Sequence, residues 1–315
     1  MDFIIFVLAM AALIFGADML IRESEKIALR FHISEFIIGA TLIALGTSLP
    51  EMAASVAANL DGKSEIAIAN VIGSNIFNIT LVLGMIFIIT KVINPDRDFF
   101  AKDSTWAMVP VLVFILMVFD GVISRFDALL LLLLMGSYIL FLLREARGII
   151  SDQLEDEDRE QDQLFSWIKT LPLIAIALLM TIVGANFTVE SASHIAKSFG
   201  ISEWIIGIVM ISLGTSLPEL VVSISASMKG KVDMAIGNII GSNMANTTIV
   251  LAMAALVKPM HFDVSLYLFD ITTMIIATLM LVFITANKLY SKPAGISLFI
   301  VLGLFLEHIV NMMAL

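Results

Sequence analysis

The sequence lacks cysteine and is poor in histidine and in charge. Its 315 residues include no Cys, four His and only 15% Asp, Glu, Lys and Arg. Without cysteine the chain cannot form a disulfide, a thiolate metal site or a cysteine nucleophile. The histidines are scattered, which does not indicate a zinc site. No nucleophile and base pairing, H-E-x-x-H motif or phosphate-binding glycine motif is present, so we expect neither an enzyme nor a bound cofactor.

Apolar residues make up 59% of the chain, which is far more than one soluble core of this length buries. A membrane-spanning helix needs roughly 20 mostly apolar residues. The sequence offers about ten such stretches, at 2–20, 34–58, 65–90, 105–119, 126–143, 168–187, 203–228, 233–257, 265–286 and 295–313. The first stretch has no basic region before it and no cleavage pattern after it, so we expect a span and not a removable signal peptide.

The positions of the basic residues predict the orientation in a cell inner (plasma) membrane. Lys and Arg in short loops are retained on the cytoplasmic side. With ten spans and both termini outside, the outer loops hold only four of the 18 basic residues: Lys63, Arg125, Lys197 and Lys258. An acidic run between Ser151 and Gln163 then lies in a cytoplasmic linker. A solvated loop explains this run, and loose calcium sensing is the alternative.

The chain contains an internal duplication. A shift of 168 positions places Gly46–Glu51 on Gly214–Glu219 and Asn78 on Asn246, and 29 of the 52 positions from 33 to 84 are identical. The shift moves the motif by five spans, an odd number, so the copies cross the membrane in opposite directions. The predicted fold is an all-α membrane protein of ten transmembrane helices in two inverted five-helix repeats. The first repeat is 1–143, the acidic cytoplasmic linker is 144–169 and the second repeat is 170–315.

Each copy of Gly-Thr-Ser-Leu-Pro-Glu lies in the middle of an apolar span. A carboxylate there costs about 2.5–3.5 kcal/mol, so a ligand is expected to offset the cost. The proline cannot donate a backbone hydrogen bond and should break the helix. The break would expose backbone carbonyls beside two hydroxyls and a carboxylate. In the first copy these side chains are Thr47, Ser48 and Glu51, and in the second Thr215, Ser216 and Glu219.

A second polar segment adds further oxygen donors in each copy. It contributes Ser74, Asn75 and Asn78, and then Ser242, Asn243 and Asn246. We expect Asn78 and Asn246 to belong to the site. For Asn75 and Asn243 a ligand role and a hydrogen bond between helices remain open. Carboxylate, hydroxyl and carbonyl oxygens together suit hard cations such as Ca²⁺, and Na⁺ can use the same atoms.

Both motifs and their spacing resemble the sodium/calcium exchangers of the cation/calcium antiporter superfamily, in particular the prokaryotic members. The resemblance covers the whole chain. It implies broken helices around four cation sites, with Ca²⁺ bound by Glu51 and Glu219 and by backbone oxygens near Thr47 and Thr215. It implies sodium ligands at Ala44, Ser48, Ser74, Ser212, Ser216 and Ser242, with Asn78 and Asn246 at the centre. Asparagine at 246, where potassium-dependent exchangers have aspartate, argues against a potassium requirement.

The expected function is therefore exchange of Na⁺ for Ca²⁺ by alternating access, without potassium. The two ions are the substrates and the lipid bilayer is the environment, and no nucleic acid or obligatory protein partner is expected. One alternative is a proton/calcium antiporter of the same fold, because two close carboxylates invite protonation. A cation channel is another alternative, and a membrane enzyme is the weakest.

Overall fold

The computed structural model describes residues 2–90, 93, 95–153, 166–199 and 214–313. Nearly all of them are helical. The helices are α1 Asp2–Phe31, α2 Glu35–Thr47, α3 Leu49–Leu60, α4 Ser64–Ile89, α5 Phe99–Val118, α6 Arg125–Gln153, α7 Trp167–Ser198, α8 Leu217–Met228, α9 Val232–Val257, α10 Val264–Ala286 and α11 Lys292–Met313. Two short strands, β1 Val122–Ile123 and β2 Met260–His261, pair antiparallel and join the α5–α6 and α9–α10 loops.

The protein is a multi-pass membrane protein. Within the described residues, eight helices are long and apolar enough to cross a bilayer, and the bent pair α2–α3 makes a ninth candidate. Helix α8 is apolar but short, and residues 200–213 before it lie outside the described part of the chain. The predicted span 203–228 is therefore described only in its second half.

Several helices extend well beyond the predicted spans. Helix α1 continues to Phe31 where the prediction ended at 20, and α7 continues to Ser198 where it ended at 187. Helix α6 continues to Gln153 and so occupies the first part of the predicted linker 144–169. The helices end later than the predicted spans because hydropathy marks the lipid-facing length, whereas backbone hydrogen bonds continue through polar residues. Residues 154–165, which hold most of the acidic run, lie outside the described residues.

Helices α4 and α9 form the centre of the molecule. In their apolar windows 72% and 78% of the residues are buried, against 28–44% in the other six long spans. Each central helix contains a π-helical turn, at Asn78–Leu83 in α4 and at Asn246–Val250 in α9. Such turns are frequent at functional sites because they widen the helix locally and redirect side chains.

The duplication is repeated in the positions of the elements. Helices α3 and α8 begin 168 residues apart and also end 168 residues apart. The same spacing separates the first parts of α4 and α9, Ser64–Phe77 and Val232–Ala245. The two copies therefore place their polar motifs at equivalent points of equivalent helices.

Glycines allow α2 and α9 to pack backbone against backbone. A Cβ atom on Gly39 would lie 2.3 Å from the carbonyl oxygen of Met234, and one on Gly237 would lie 2.5 Å from that of Phe36. No real Cβ atom approaches a backbone oxygen so closely, so larger residues would force the helices apart. Helix α2, which leads to the first motif, therefore packs directly against α9, which carries the asparagine segment of the second copy.

Candidate cation-binding site

The first motif breaks its helix as predicted. Helix α2 ends at Thr47, α3 begins at Leu49, and their axes differ by 41°. Ser48 stands at the break with φ −83° and ψ 5°, and its copy Ser216 has φ −86° and ψ 4° before α8. Pro50 lies in the first turn of α3, where its missing N–H costs no intrahelical hydrogen bond.

The two carboxylates of the motifs are fully buried. Glu51 and Glu219 are both 0% exposed and lie in the first turns of α3 and α8, where the helix dipole favours a negative charge. The Ser48 hydroxyl donates to Glu219 Oε1 at 3.2 Å, and the Ser216 hydroxyl donates to Glu51 Oε1 at 3.5 Å. Each copy thus supplies the hydroxyl that the other copy's carboxylate accepts.

A second reciprocal pair joins threonine and asparagine. The Thr47 hydroxyl lies 3.4 Å from Asn238 Oδ1, and the Thr215 hydroxyl donates to Asn70 Oδ1 at 3.2 Å. The amide of Asn70 also donates to the Glu51 backbone carbonyl at 3.3 Å. Asn70 and Asn238 are not among the site residues predicted from the sequence. Their identity in both copies, inside an apolar span, was the signal that could have found them.

The asparagines of the second segment form a third reciprocal pair. Asn78 Nδ2 donates to Asn243 Oδ1 at 3.0 Å, and Asn246 Nδ2 donates to Asn75 Oδ1 at 3.4 Å. Asn75 and Asn243 therefore make hydrogen bonds between helices, which was one of the two alternatives. In each of the three pairs, a contact from the first copy to the second is matched by the equivalent contact from the second copy to the first. A two-fold relation between the copies produces such matched contacts.

Several buried oxygens at this site have no hydrogen-bond partner within the described part of the chain. They are Glu51 Oε2, Glu219 Oε2, Asn78 Oδ1, Asn246 Oδ1 and Ser242 Oγ. Among the described residues neither glutamate forms an ion pair with a basic residue. Buried charge without a counter-charge is strongly unfavourable, so the pair needs a cation or a proton. A donor set made only of oxygens selects a hard cation.

The sequence profile described as "Sodium/calcium exchanger protein" matches residues 1–144 and 169–310. The chain belongs to the sodium/calcium exchanger family. The inner membrane protein YrbG of Escherichia coli is 32% identical to this exchanger over 277 residues, which are 87% of this chain and 85% of YrbG. The sodium/calcium exchanger MaX1 of Methanosarcina acetivorans is 29% identical, and the match covers 94% of this chain and 95% of MaX1.

The fold has a close structural counterpart. A structure of the sodium-calcium exchanger NCX_Mj, soaked with zero Na⁺ and Ca²⁺, superposes with a TM-score of 0.80 at 30% identity, and the match covers 98% of each chain. MaX1 and NCX_Mj are exchangers, and exchangers are transporters. This exchanger is accordingly a membrane transport protein and not an enzyme.

The described residues of the predicted site lie in one region, but their oxygens differ in how many hydrogen bonds they already accept. All of them are buried except Thr215, which is partly exposed. The Ala44 carbonyl already accepts from the Ser48 N–H at 3.0 Å and from the Thr47 hydroxyl at 3.3 Å. The hydroxyls of Ser216 and Ser74 lie 3.1 Å apart and bond to each other. Ser212 lies outside the described residues.

Proposed function

We propose that this exchanger couples Na⁺ to Ca²⁺ by alternating access, with Glu51 and Glu219 as the shared ion ligands. The observation that carries the proposal is a pair of fully buried carboxylates with no basic partner among the described residues. One Ca²⁺, or Na⁺ ions in neighbouring positions, would neutralise the pair. The empty pair would leave two charges in a low-dielectric interior, so the unloaded protein should resist switching. Exchange, and not leak, follows from that resistance.

The ligand set that we propose has two groups of atoms. Ca²⁺ would take the two glutamates with backbone oxygens near Thr47 and Thr215. Na⁺ would take positions at Ala44, Ser48, Ser74, Ser212, Ser216 and Ser242, with Asn78 and Asn246 at the centre. Oxygens of Ser242, Asn78 and Asn246 that have no partner in the described part of the chain support this set, because a hard cation prefers oxygen ligands.

The architecture that we propose has ten spans in two inverted halves. Residues 1–143 and 170–315 form the halves, 144–169 form the cytoplasmic linker, and both termini lie outside. The reciprocal contacts between the copies support a two-fold relation. The displacement of the motif by five spans puts the axis in the membrane plane, which lets one site face either side.

We also propose that transport does not require K⁺. A further cation beside Ca²⁺ needs further negative charge in a low-dielectric cavity. Asn78 and Asn246 supply oxygen dipoles but no charge, so the two glutamates balance one Ca²⁺ and leave nothing for K⁺. An Asn246→Asp substitution should add a titratable charge and shift the pH dependence of transport.

The test is uptake of labelled Ca²⁺ into proteoliposomes that hold the purified chain. We expect uptake when vesicles loaded with Na⁺ are diluted into Na⁺-free medium, and no dependence on added K⁺. Uptake driven by a proton gradient and indifferent to Na⁺ would identify a proton/calcium antiporter instead. Ca²⁺ entry without any counter-ion would identify a channel. Ca²⁺ uptake that occurs only when K⁺ is supplied would overturn the argument from Asn246.

A further inference from the structure

The orientation of the central amides matters for cation binding. A side-chain amide carries an oxygen that attracts a cation and an NH₂ group that repels it. In both Asn78 and Asn246 the buried oxygen has no hydrogen-bond partner among the described residues, while the nitrogen has one. A flip of either amide would exchange the two ends. The neighbouring groups must therefore hold each amide in one orientation.

The orientation of Asn78 is fixed by a backbone carbonyl. The carbonyl oxygen of Asn75 accepts from Asn243 Nδ2 at 3.4 Å. Since a carbonyl can only accept, the nitrogen of Asn243 must face it. The oxygen of Asn243 then faces Asn78 and accepts from its nitrogen at 3.0 Å. The oxygen of Asn78 is the atom left over.

The orientation of Asn246 depends on a longer chain of hydrogen bonds. The Thr247 hydroxyl donates to the carbonyl oxygen of Asn243 at 2.8 Å. Its single proton is used there, so its oxygen accepts from Asn75 Nδ2 at 2.8 Å. The oxygen of Asn75 then accepts from Asn246 Nδ2 at 3.4 Å. The oxygen of Asn246 is again the atom left over.

We infer that Asn75, Asn243 and Thr247 are positioning residues for cation binding. They act through Asn78 and Asn246, and the inference rests on the proposed function, in which these two asparagines are ligands. Each chain of bonds starts at a backbone carbonyl, which can only accept, and ends at an oxygen that has no partner among the described residues. The order of donors and acceptors along each chain decides that an oxygen, and not an NH₂ group, is offered to the ion.

Thr247 is the member that the first copy does not have. The equivalent position in the first copy is Ile79, which has no hydroxyl. Only the chain that ends at Asn246 therefore depends on a side-chain hydroxyl. Thr247 is 1% exposed and lines, together with Asn75 and Asn243, a cavity of about 10 Å³. That is room for about one water molecule, so a substitution that keeps the side-chain volume is needed to leave the cavity unchanged.

The test begins with Thr247→Val, which removes the hydroxyl and keeps the shape. Ca²⁺ binding to the purified full-length chain would be measured by equilibrium binding of labelled Ca²⁺ in K⁺-free detergent solution. We expect Thr247→Val to bind Ca²⁺ about tenfold more weakly. This is the low end of the loss of metal affinity seen when a group that orients a metal ligand is removed. Thr247→Ser keeps the hydroxyl and should restore most of the affinity. The matched control is Thr248→Val, because this neighbouring hydroxyl is also buried but donates only to the Met244 carbonyl.

A double substitution separates positioning from packing. The two oxygens of a carboxylate are equivalent, so the orientation of residue 246 no longer matters in Asn246→Asp. We expect Thr247→Val to have little effect on Ca²⁺ binding in that background. The inference would be overturned if Thr247→Val weakened Ca²⁺ binding as much in the Asn246→Asp background as in the unmodified chain. Normal Ca²⁺ binding by the Thr247→Val single variant, or loss of Ca²⁺ binding in Asn246→Asp alone, would also overturn it. If the unmodified chain itself binds no Ca²⁺, the proposed function fails instead.

Discussion

The two copies of the repeat keep the same polar motif but differ in what surrounds it. Gly241 and Gly73 are equivalent positions, yet a Cβ on Gly241 would lie 2.4 Å from the Ala40 carbonyl oxygen. A Cβ on Gly73 would meet no described atom within 4 Å apart from its chain neighbours and the backbone of its own helix. The proposed function gives a reason for the duplicated motif, since one ion would take ligands from both copies. The packing is not duplicated, so the two ends of the site have different surroundings.

A second difference lies at the ends of the helices. Lys231, just before α9, donates to Glu25 of α1 and to Glu35 of α2, the latter at 2.9 Å. The equivalent of Lys231 in the first copy is Lys63, which is exposed, and the equivalent of Glu25 is Ser193. Ion pairs thus join α1 and α2 to the start of α9 at one end. In the other copy the residue equivalent to Glu25 is uncharged, although Glu203 is the equivalent of Glu35.

The largest expected effect concerns what the copies share. Glu51→Gln and Glu219→Gln should each lower Na⁺-driven Ca²⁺ uptake by about a hundredfold or more, because a ligand charge is lost. Both variants should remain folded, as judged by gel filtration in detergent. Glu23→Gln is the control, since Glu23 is buried but bonds to Lys26 at 2.6 Å. If either site variant took up Ca²⁺ at the wild-type rate, both the equivalence of the two copies and the assignment of the site would be wrong.

The next effect tests the difference in packing. Gly241→Ala should destabilise the protein by about 1–3 kcal/mol, the usual cost of overpacking against backbone. Gly73→Ala should leave stability unchanged or raise it by up to about 1 kcal/mol, because alanine is the better helix former. Thermal unfolding of the two variants in the same detergent is the measurement. Equal losses in both would mean that the copies are packed alike.

Acid should inhibit transport through both copies. A proton on Glu51 or Glu219 removes charge that Ca²⁺ needs, and each carboxylate accepts a hydroxyl from the other copy, so either event affects the whole site. The rate of Na⁺-driven Ca²⁺ uptake should fall as the pH is lowered from mildly alkaline to mildly acidic, and higher Ca²⁺ should restore it. A rate that does not change over this range would contradict the competition.

The smallest effect concerns the ion pairs at one end. Burial alone would lower the pKa of Lys231, but its hydrogen bonds to Glu25 and Glu35 raise the pKa above the usual value. The stabilisation is therefore present at neutral pH and lost only when strong alkali removes the proton. Lys231→Met should cost up to about 1 kcal/mol, and high salt should reduce the difference. Lys63→Met is the matched control, and an equal loss there would remove this distinction between the ends.

Much of the fold and part of the site could be predicted from the sequence. Long apolar runs predict spanning helices because lipid cannot satisfy backbone hydrogen bonds, and the described helices coincide with those runs. The break before Glu51 was predictable because proline lacks an N–H and opposes a continuous helix. The helix ends were not predictable from hydropathy, since the charged ends of α1, α6 and α7 remain helical outside the apolar length.

The sequence by itself determined which polar residues are repeated and that they lie within apolar spans. It did not determine which oxygen of each side chain is free, because that depends on partners about 170 residues away, such as Ser48 for Glu219 and Thr247 for Asn75. Local propensities are set within a few residues, whereas the direction of a hydrogen bond is set where distant segments meet. Only the tertiary structure therefore decided that the amide nitrogens of Asn78 and Asn246 bond to Asn243 and Asn75, and that their oxygens have no partner among the described residues.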